Sequence, residues 1–206
     1  MKKLSAKWSC SMEHRYEAEY PTPEEVMKHR IMDACIRCIG ERGLERTFVQ
    51  DIAREAGIAR QTVYKYFENK TEILAAAYQR EGLSFGLEVR NHIKNLGEEE
   101  AFVEAFVYVV KRFCRNPILA QLVSRGSTFL NDVGMKYFAF SQFGEIVFAD
   151  IFRANQPLAR HADEISELWL RNAISIISMP SHKKKTEKEL RAYIRRRLIP
   201  GLHLKG

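Results

Sequence analysis

The chain has 206 residues, with 33 Lys/Arg against 26 Asp/Glu and 46% hydrophobic residues. Four cysteines at this length do not suggest a disulfide framework, no apolar run approaches the roughly 18 residues of a membrane span, and the opening MKKLSAKWSC lacks the hydrophobic stretch of a signal peptide, so a reducing, cytoplasmic setting is expected. The net charge of +7 is not an argument for nucleic acid, because residues 181–206 hold 9 Lys/Arg against 2 Asp/Glu while residues 1–80 hold 14 against 12.

Residues 1–21 are polar and mixed in charge and read as a mobile arm. Lys2, Lys3 and Lys7 could follow a minor groove, or the arm could simply fray. Thr22-Pro-Glu-Glu25 then opens a helix with a cap, a proline in the first turn and acids at the N-terminus. That helix should reach about Glu41 and stop near Gly43. Cys35 and Cys38 form a C-x-x-C within its apolar repeat Ile31, Ala34, Cys35, Cys38, Ile39. No second Cys/His pair follows at zinc spacing, so they read as core and no metal is expected.

Residues 47–74, TFVQDIAREAGIARQTVYKYFENKTEIL, carry the clearest functional pattern. Thr47 is placed to cap a helix with Gln50 as its capping-box partner. Ile52, Ala53 and Ala56 give that helix one apolar face, and Gly57 suits a left-handed helix end. A second helix is predicted over Arg60–Phe67. Val63 and Phe67 dock it, leaving Arg60, Gln61, Tyr64 and Lys65 mostly elsewhere on its surface. Asn69 and Glu72 form a further cap for a third helix. Two helices around a short glycine turn make the helix-turn-helix shape. Arg pairs well with guanine and Gln with adenine in the major groove, while Thr62, Tyr66 and Lys70 suit phosphate. An ordinary helical hairpin with a solvated face has the same periodicity.

The helix from Lys70 should run to about Leu96, with Gly82 and Gly86 allowing close packing or a slight bend. Glu98–Cys114 follows, with Phe102, Ala105, Phe106, Val109, Val110 and Phe113 on one side. Asn116-Pro117 starts a short helix ended by Arg125-Gly126. Helices over Met135–Phe152 and Asp163–Ser178 come next, the second stopped by Pro180. The His182–Lys185 run reads as a solvated linker, with an accessory phosphate contact as the alternative. Thr186-x-x-Glu189 caps a last helix with Leu190, Tyr193, Ile194 and Leu198 on one stripe. No strand signal competes, so the expected fold class is all-α.

The segment from Ile31 to Leu74 resembles the N-terminal domain of the tetracycline-repressor (TetR) family of bacterial transcriptional regulators. The matching residues are Ile31, Ala34, Gly43, Thr47, Val49, Asp51-Ile52-Ala53, Ala56-Gly57, Thr62-Val63-Tyr64, Tyr66-Phe67, Asn69-Lys70 and Leu74. The Tyr64-x-Tyr66-Phe67-x-x-Lys70 signature is the most specific of them. The ending Arg-Leu-Ile-Pro-Gly at 197–201 also resembles the family's C-terminal helix end. The resemblance implies that Gln50 touches a base edge or phosphate, that Arg60, Gln61 and Tyr64 face the groove, and that Thr47, Thr62, Tyr66 and Lys70 hold phosphates. Ala59 replaces the family's usual capping residue, which costs about 1 kcal/mol. Gln61 stands for a frequent Gly and Gln50 for a frequent Arg, which puts the operator sequence in doubt.

Domain limits follow: an arm over 1–21, a DNA-binding domain over 22–69, and a ligand-binding and dimerisation domain over 70–206. Ten of the twelve Phe lie between Phe85 and Phe152. Packing alone explains them, but the resemblance implies an effector pocket. Its candidate lining is Phe102, Phe106, Phe113, Phe129, Tyr137 and Phe140, with His92, Glu104 and Arg125 as polar contacts. Ile165, Leu168, Trp169, Ala173 and Ile176, together with Leu190, Ile194 and Leu198, are the candidate homodimer interface, with Trp169 as anchor. Burial within one chain is the alternative. The function expected is a homodimeric repressor that leaves operator DNA when it binds a small apolar or aromatic effector. A helical binding protein of the same fold without DNA binding is the alternative. No nucleophile–base pair or phosphate loop is visible, so neither an enzyme nor a cofactor is expected.

Overall fold

A computed structural model describes residues 21–123, 140–179 and 185–202. The expectations for the N-terminal arm, for Arg125, Phe129 and Tyr137, for the Arg125-Gly126 and Pro180 stops and for residues 182–184 lie outside them, as do the Phe140 side chain's contacts.

Helix α1 spans Pro23–Arg42. The Thr22 hydroxyl accepts from the Glu25 N–H at 3.2 Å, and the Glu25 carboxylate accepts from the Thr22 N–H at 2.8 Å. Gly43 ends the helix at φ +82°, a left-handed value that favours glycine. Ile31, Ala34, Cys35, Cys38 and Ile39 are buried along one stripe. Burial pushes the Cys35 thiol up to about 12, which makes it a core side chain rather than a ready thiolate ligand.

Helices α2 (Val49–Glu55) and α3 (Arg60–Tyr64) follow, and Gly57 turns the chain between them at φ +64°. The second is shorter than the predicted Arg60–Phe67, although the Phe67 N–H still donates to the Val63 carbonyl at 3.0 Å. Val63 and Phe67 are buried as expected. Helix α4 (Lys70–Ile93) starts at Asn69, whose side chain accepts from the Glu72 N–H. Glu72 itself reaches the Glu68 N–H rather than the cap residue's own.

The remaining helices are α5 (Glu98–Arg112), α6 (Pro117–Leu122), α7 (Phe140–Ala154), α8 (Gln156–Ala159), α9 (Ala162–Ser178) and α10 (Glu187–Arg197), with short 3-10 turns at Phe113–Arg115 and Ile199–Leu202. Helix α7 bends at Phe148 (φ −103°, ψ 15°). Every described element is helical, so the fold is all-α. No helix among the described residues is long and apolar enough to cross a membrane.

Among the described residues the most extensive helix pairing joins α7 to α9. Gly144 makes it possible, because a Cβ there would stand 2.2 Å from Ser166 Cβ. Gly86 does the same for α4 against α7, with Ile146 3.1 Å from a built Cβ. Aromatic rings fill the centre. Phe102 stacks on Phe148 at 4.1 Å, and Trp169 meets Phe106 and Phe148 edge-on at 5.5 and 5.1 Å.

The basic last helix is not simply solvated. Arg191 pairs with Glu104 and Glu187, Arg195 with Glu100, and Lys111 with Glu187. Part of the C-terminal positive charge is thereby neutralised on the acidic face of α5.

One carboxyl pair crosses from α7 to α9. Partial burial and the hydrogen-bonded Asp163 push the Glu145 carboxyl up to about 7 from 4.5. A pKa raised on folding gives a contribution that is complete below the unfolded value and is lost as pH climbs through the folded one. Thermal stability should therefore decline between about pH 5 and pH 8 through this pair. Glu145→Gln should flatten that decline, and melting curves with the same pH slope in the variant would acquit the pair.

Candidate nucleic-acid interface

Helix α2 packs on α1 and on α3, and Ile52, Ala53, Ala56, Val63 and Phe67, all at most 5% exposed, join the common core. The other faces of α2 and α3 look outward. Gln50, Arg60, Gln61, Tyr64 and Lys65 are exposed, and Thr62, Tyr66 and Lys70 are half-buried. Gln50, Arg60, Tyr64 and Lys70 share a shallow depression of about 330 Å³ with Phe48 and Val49. The Arg60 guanidinium donates to the Tyr64 hydroxyl at 3.0 Å and lies 5.5 Å from that ring's centre. Arginine and tyrosine thus form one preorganised polar tip rather than two loose ones. Ala59 provides no side-chain cap to α3, in line with the expected loss there.

Thr47 needs correcting. The residue in the cap position of α2 is Phe48, and Asp51 rather than Gln50 completes the local motif by accepting from the Phe48 N–H at 3.1 Å. Thr47 is fully buried, and its hydroxyl donates to the Gly43 carbonyl at 2.9 Å. It therefore holds the α1–α2 turn together, and its side chain is not on the surface that a phosphate would meet. Asp51 is itself clamped by Arg42 at 3.0 Å and Arg54 at 2.7 Å.

Lys70 has a double role. Its ammonium donates to the Leu44 carbonyl at 2.6 Å and lies 5.9 Å from the centre of the Phe48 ring. An ammonium has three donors, so that bond leaves two for a phosphate while fixing the start of α4 to the α1–α2 turn. Phe48 is the residue that sequence reasoning missed. It is 56% exposed in the middle of this surface. Local capping preference favours Thr47 with Gln50, so no local signal marked Phe48; the burial of Thr47 and the Asp51 carboxylate that accepts from the Phe48 N–H place the helix start there.

The predicted effector residues separate into two groups. Phe102, Phe106 and Phe113 are at most 1% exposed and are filled in by neighbouring rings. His92 lies outside on α4, its ring 4.4 Å from that of Tyr108. With Glu104, Tyr108, Lys111 and Arg191 it borders a polar surface groove of about 220 Å³ that those phenylalanines do not line. Arg191 holds the Glu104 carboxyl below its usual range.

The dimer set is corrected more sharply. Ile165, Trp169, Ala173, Leu190, Ile194 and Leu198 are all buried inside the single chain. The Trp169 indole N–H donates to the Phe102 carbonyl at 3.1 Å. Their apolar stripe faces the chain's own α5 and α7, so none of the six is available to a partner. Leu168 remains 41% exposed, and Ile176 is half-buried.

Residues 31–77 match the family described as bacterial regulatory proteins, tetR family. The chain is 40% identical over 50 residues to the fatty acid metabolism regulator protein of Bacillus subtilis (strain 168), covering 24% of this chain and 26% of that protein. It is 34% identical over 85 residues to the HTH-type transcriptional regulator TtgR of Pseudomonas putida, covering 40% and 38%. The matches thus span well under half the length of either curated relative. In structure, 90% of the chain overlays 98% of the TetR family repressor AlkX from Dietzia sp. strain DQ12-45-1b, at a TM-score of 0.60 and 19% identity. At that identity the likeness concerns the fold. The matched segment contains the whole helix-turn-helix, so residues 31–77 carry the domain shared by the tetR family of bacterial regulatory proteins, and the remaining described helices take the same fold as the AlkX structure.

Proposed function

We propose that the protein is a homodimeric transcriptional repressor that binds operator DNA through α2 and α3 and is released by a small apolar effector. One observation carries this reading. Arg60, Gln61 and Tyr64 project outward from a helix whose back is anchored by fully buried Val63. A rigid rod with polar tips at its exposed face fits the major groove. Gln50, Lys65, Thr62, Tyr66 and Lys70 surround that face as base-edge or phosphate contacts. Residues 22–69 form the DNA-binding part and 70–206 the effector and dimer part.

Helix α4 is the lever between the two. At its start Lys70 holds Leu44, in its middle Arg80 pairs with Asp33 of α1, and near its end Arg90 pairs with Asp150 of α7. Glu81, beside Arg80, also accepts from the side chain of Asn116, the cap of α6. A shift of α4 therefore moves the DNA-binding helices. Release needs only an effector that favours one of two states, typically by about 1–3 kcal/mol. An apolar effector is supported by the names of two relatives, a regulator of fatty acid metabolism and a repressor implicated in biodegradation of n-alkanes. The dimer would use the outer stripe of α9, where Leu168, Asn172 and Ser175 recur at helical spacing and the residue just past the helix end, Met179, is 70% exposed. Two half-sites about 35 Å apart would then be bound together.

The test is capture of genomic fragments by the purified protein, followed by gel shifts on the tightest duplex. Arg60→Ala should weaken that complex at least about tenfold, with helical content unchanged. Affinity should also fall steeply with salt. Failure to capture any fragment, or wild-type affinity in the variant, would refute the reading.

A further inference from the structure

The proposed operator surface contains one side chain that local chemistry does not explain. Phe48 is an exposed aromatic in a helix-cap position. A cap position rewards Ser, Thr, Asp or Asn, whose side chains accept from the helix's first N–H groups. Phe48 makes no such bond and leaves more than half of its surface in water. Both local effects disfavour it. The ring is not isolated, however. It forms one wall of the depression shared with Gln50, Arg60 and Tyr64, and Lys70 lies beside it at 5.9 Å.

A phenyl ring cannot donate to phosphate or read a hydrogen-bonding base edge. In a major groove the apolar feature it can meet is the 5-methyl group of thymine. Resting on the reading of α2–α3 as the DNA-binding face, we propose that Phe48 is a further specificity-determining contact, whose ring packs on one thymine methyl in each operator half-site. Gln50, Arg60 and Tyr64 supply hydrogen bonds around it, and Phe48 supplies discrimination that hydrogen bonds cannot. The lysine ammonium beside the ring limits its motion and so lowers the ordering cost of contact.

The experiment uses the full-length protein and the tightest duplex recovered by selection. Thymines are replaced one position at a time, in both half-sites, by deoxyuridine, which lacks only the methyl group. Wild-type protein should lose about fourfold per half-site at one such position. Phe48→Ala should bind the thymine duplex more weakly by a similar factor and be indifferent to deoxyuridine there. Phe48→Ser restores a capping hydroxyl, so it should keep or raise Tm while losing the same affinity, which separates contact from folding. Wild-type affinity in Phe48→Ala overturns the proposal. So does a loss that leaves the deoxyuridine pattern unchanged, since that would place the ring on the sugar backbone. If wild-type protein captures no duplex at all, the broader DNA-binding reading has failed instead.

Discussion

Gly144→Ala is expected to cost about 3 kcal/mol or more, at the upper end of what overpacking does. The new Cβ would stand 2.2 Å from Ser166 Cβ, 2.4 Å from its Oγ and 2.8 Å from its Cα. The last of these is backbone and cannot rotate away, so α7 and α9 must separate along the most extensive helix pairing among the described residues. In a chain of this size the loss corresponds to roughly 6–12 °C in Tm. Ser166→Gly in the same chain removes two of the three clashes. The double variant should therefore recover part of the loss, a coupling that independent sites do not show. Thermal unfolding followed by circular dichroism decides the matter. Simple addition of the two single losses would mean that the helices do not cross there.

The contrast with other positions shows what a sequence can reveal about this fold. The caps at Thr22, Asn69 and Thr186 were legible because the interaction is local, between residues three apart. The backs of α2 and α3 were legible because Ile52, Ala53, Val63 and Phe67 recur at helical spacing. The start of α2 was misplaced by one residue for a different reason. Thr47 and Phe48 are adjacent, and the choice of cap depends on which of them the rest of the domain buries. The core takes Thr47, a tertiary decision that overrides capping preference. The Gly144–Ser166 crossing left no trace in the sequence, because its two residues are remote in the chain and neither is unusual alone.

The same limit governed the candidate sites. Periodicity put Arg60, Gln61 and Tyr64 on one side of a short helix, and the structure leaves that side open. It equally put Ile165, Trp169, Ala173 and Ile176 on one stripe of α9, but an apolar stripe does not say whose core it completes. Here the chain's own α5 and α7 cover its inner part. The phenylalanines from Phe102 to Phe113 carry the same ambiguity, and the rings around them resolve it in favour of packing.

Trp169→Ala should therefore act as a core substitution and not as an interface substitution. The side chain is fully buried, touches Phe106 and Phe148 edge-on, and donates to the Phe102 carbonyl. Truncating a buried Trp to Ala costs about 3–5 kcal/mol, a large part of the stability of an ordinary domain. Trp169→Asp adds an unpaired buried charge to that cavity, so it should give unfolded or aggregated protein instead of folded monomers. Leu168 is the control, one residue earlier on the same helix and turned outward. Leu168→Asp should keep the helical spectrum and, in the proposed dimer, halve the mass seen by sedimentation. Two neighbouring residues would thus fail in different ways, one through folding and one through assembly. A Trp169→Ala variant that sediments as a folded monomer with wild-type Tm would return the indole to the subunit boundary and contradict its burial against α5.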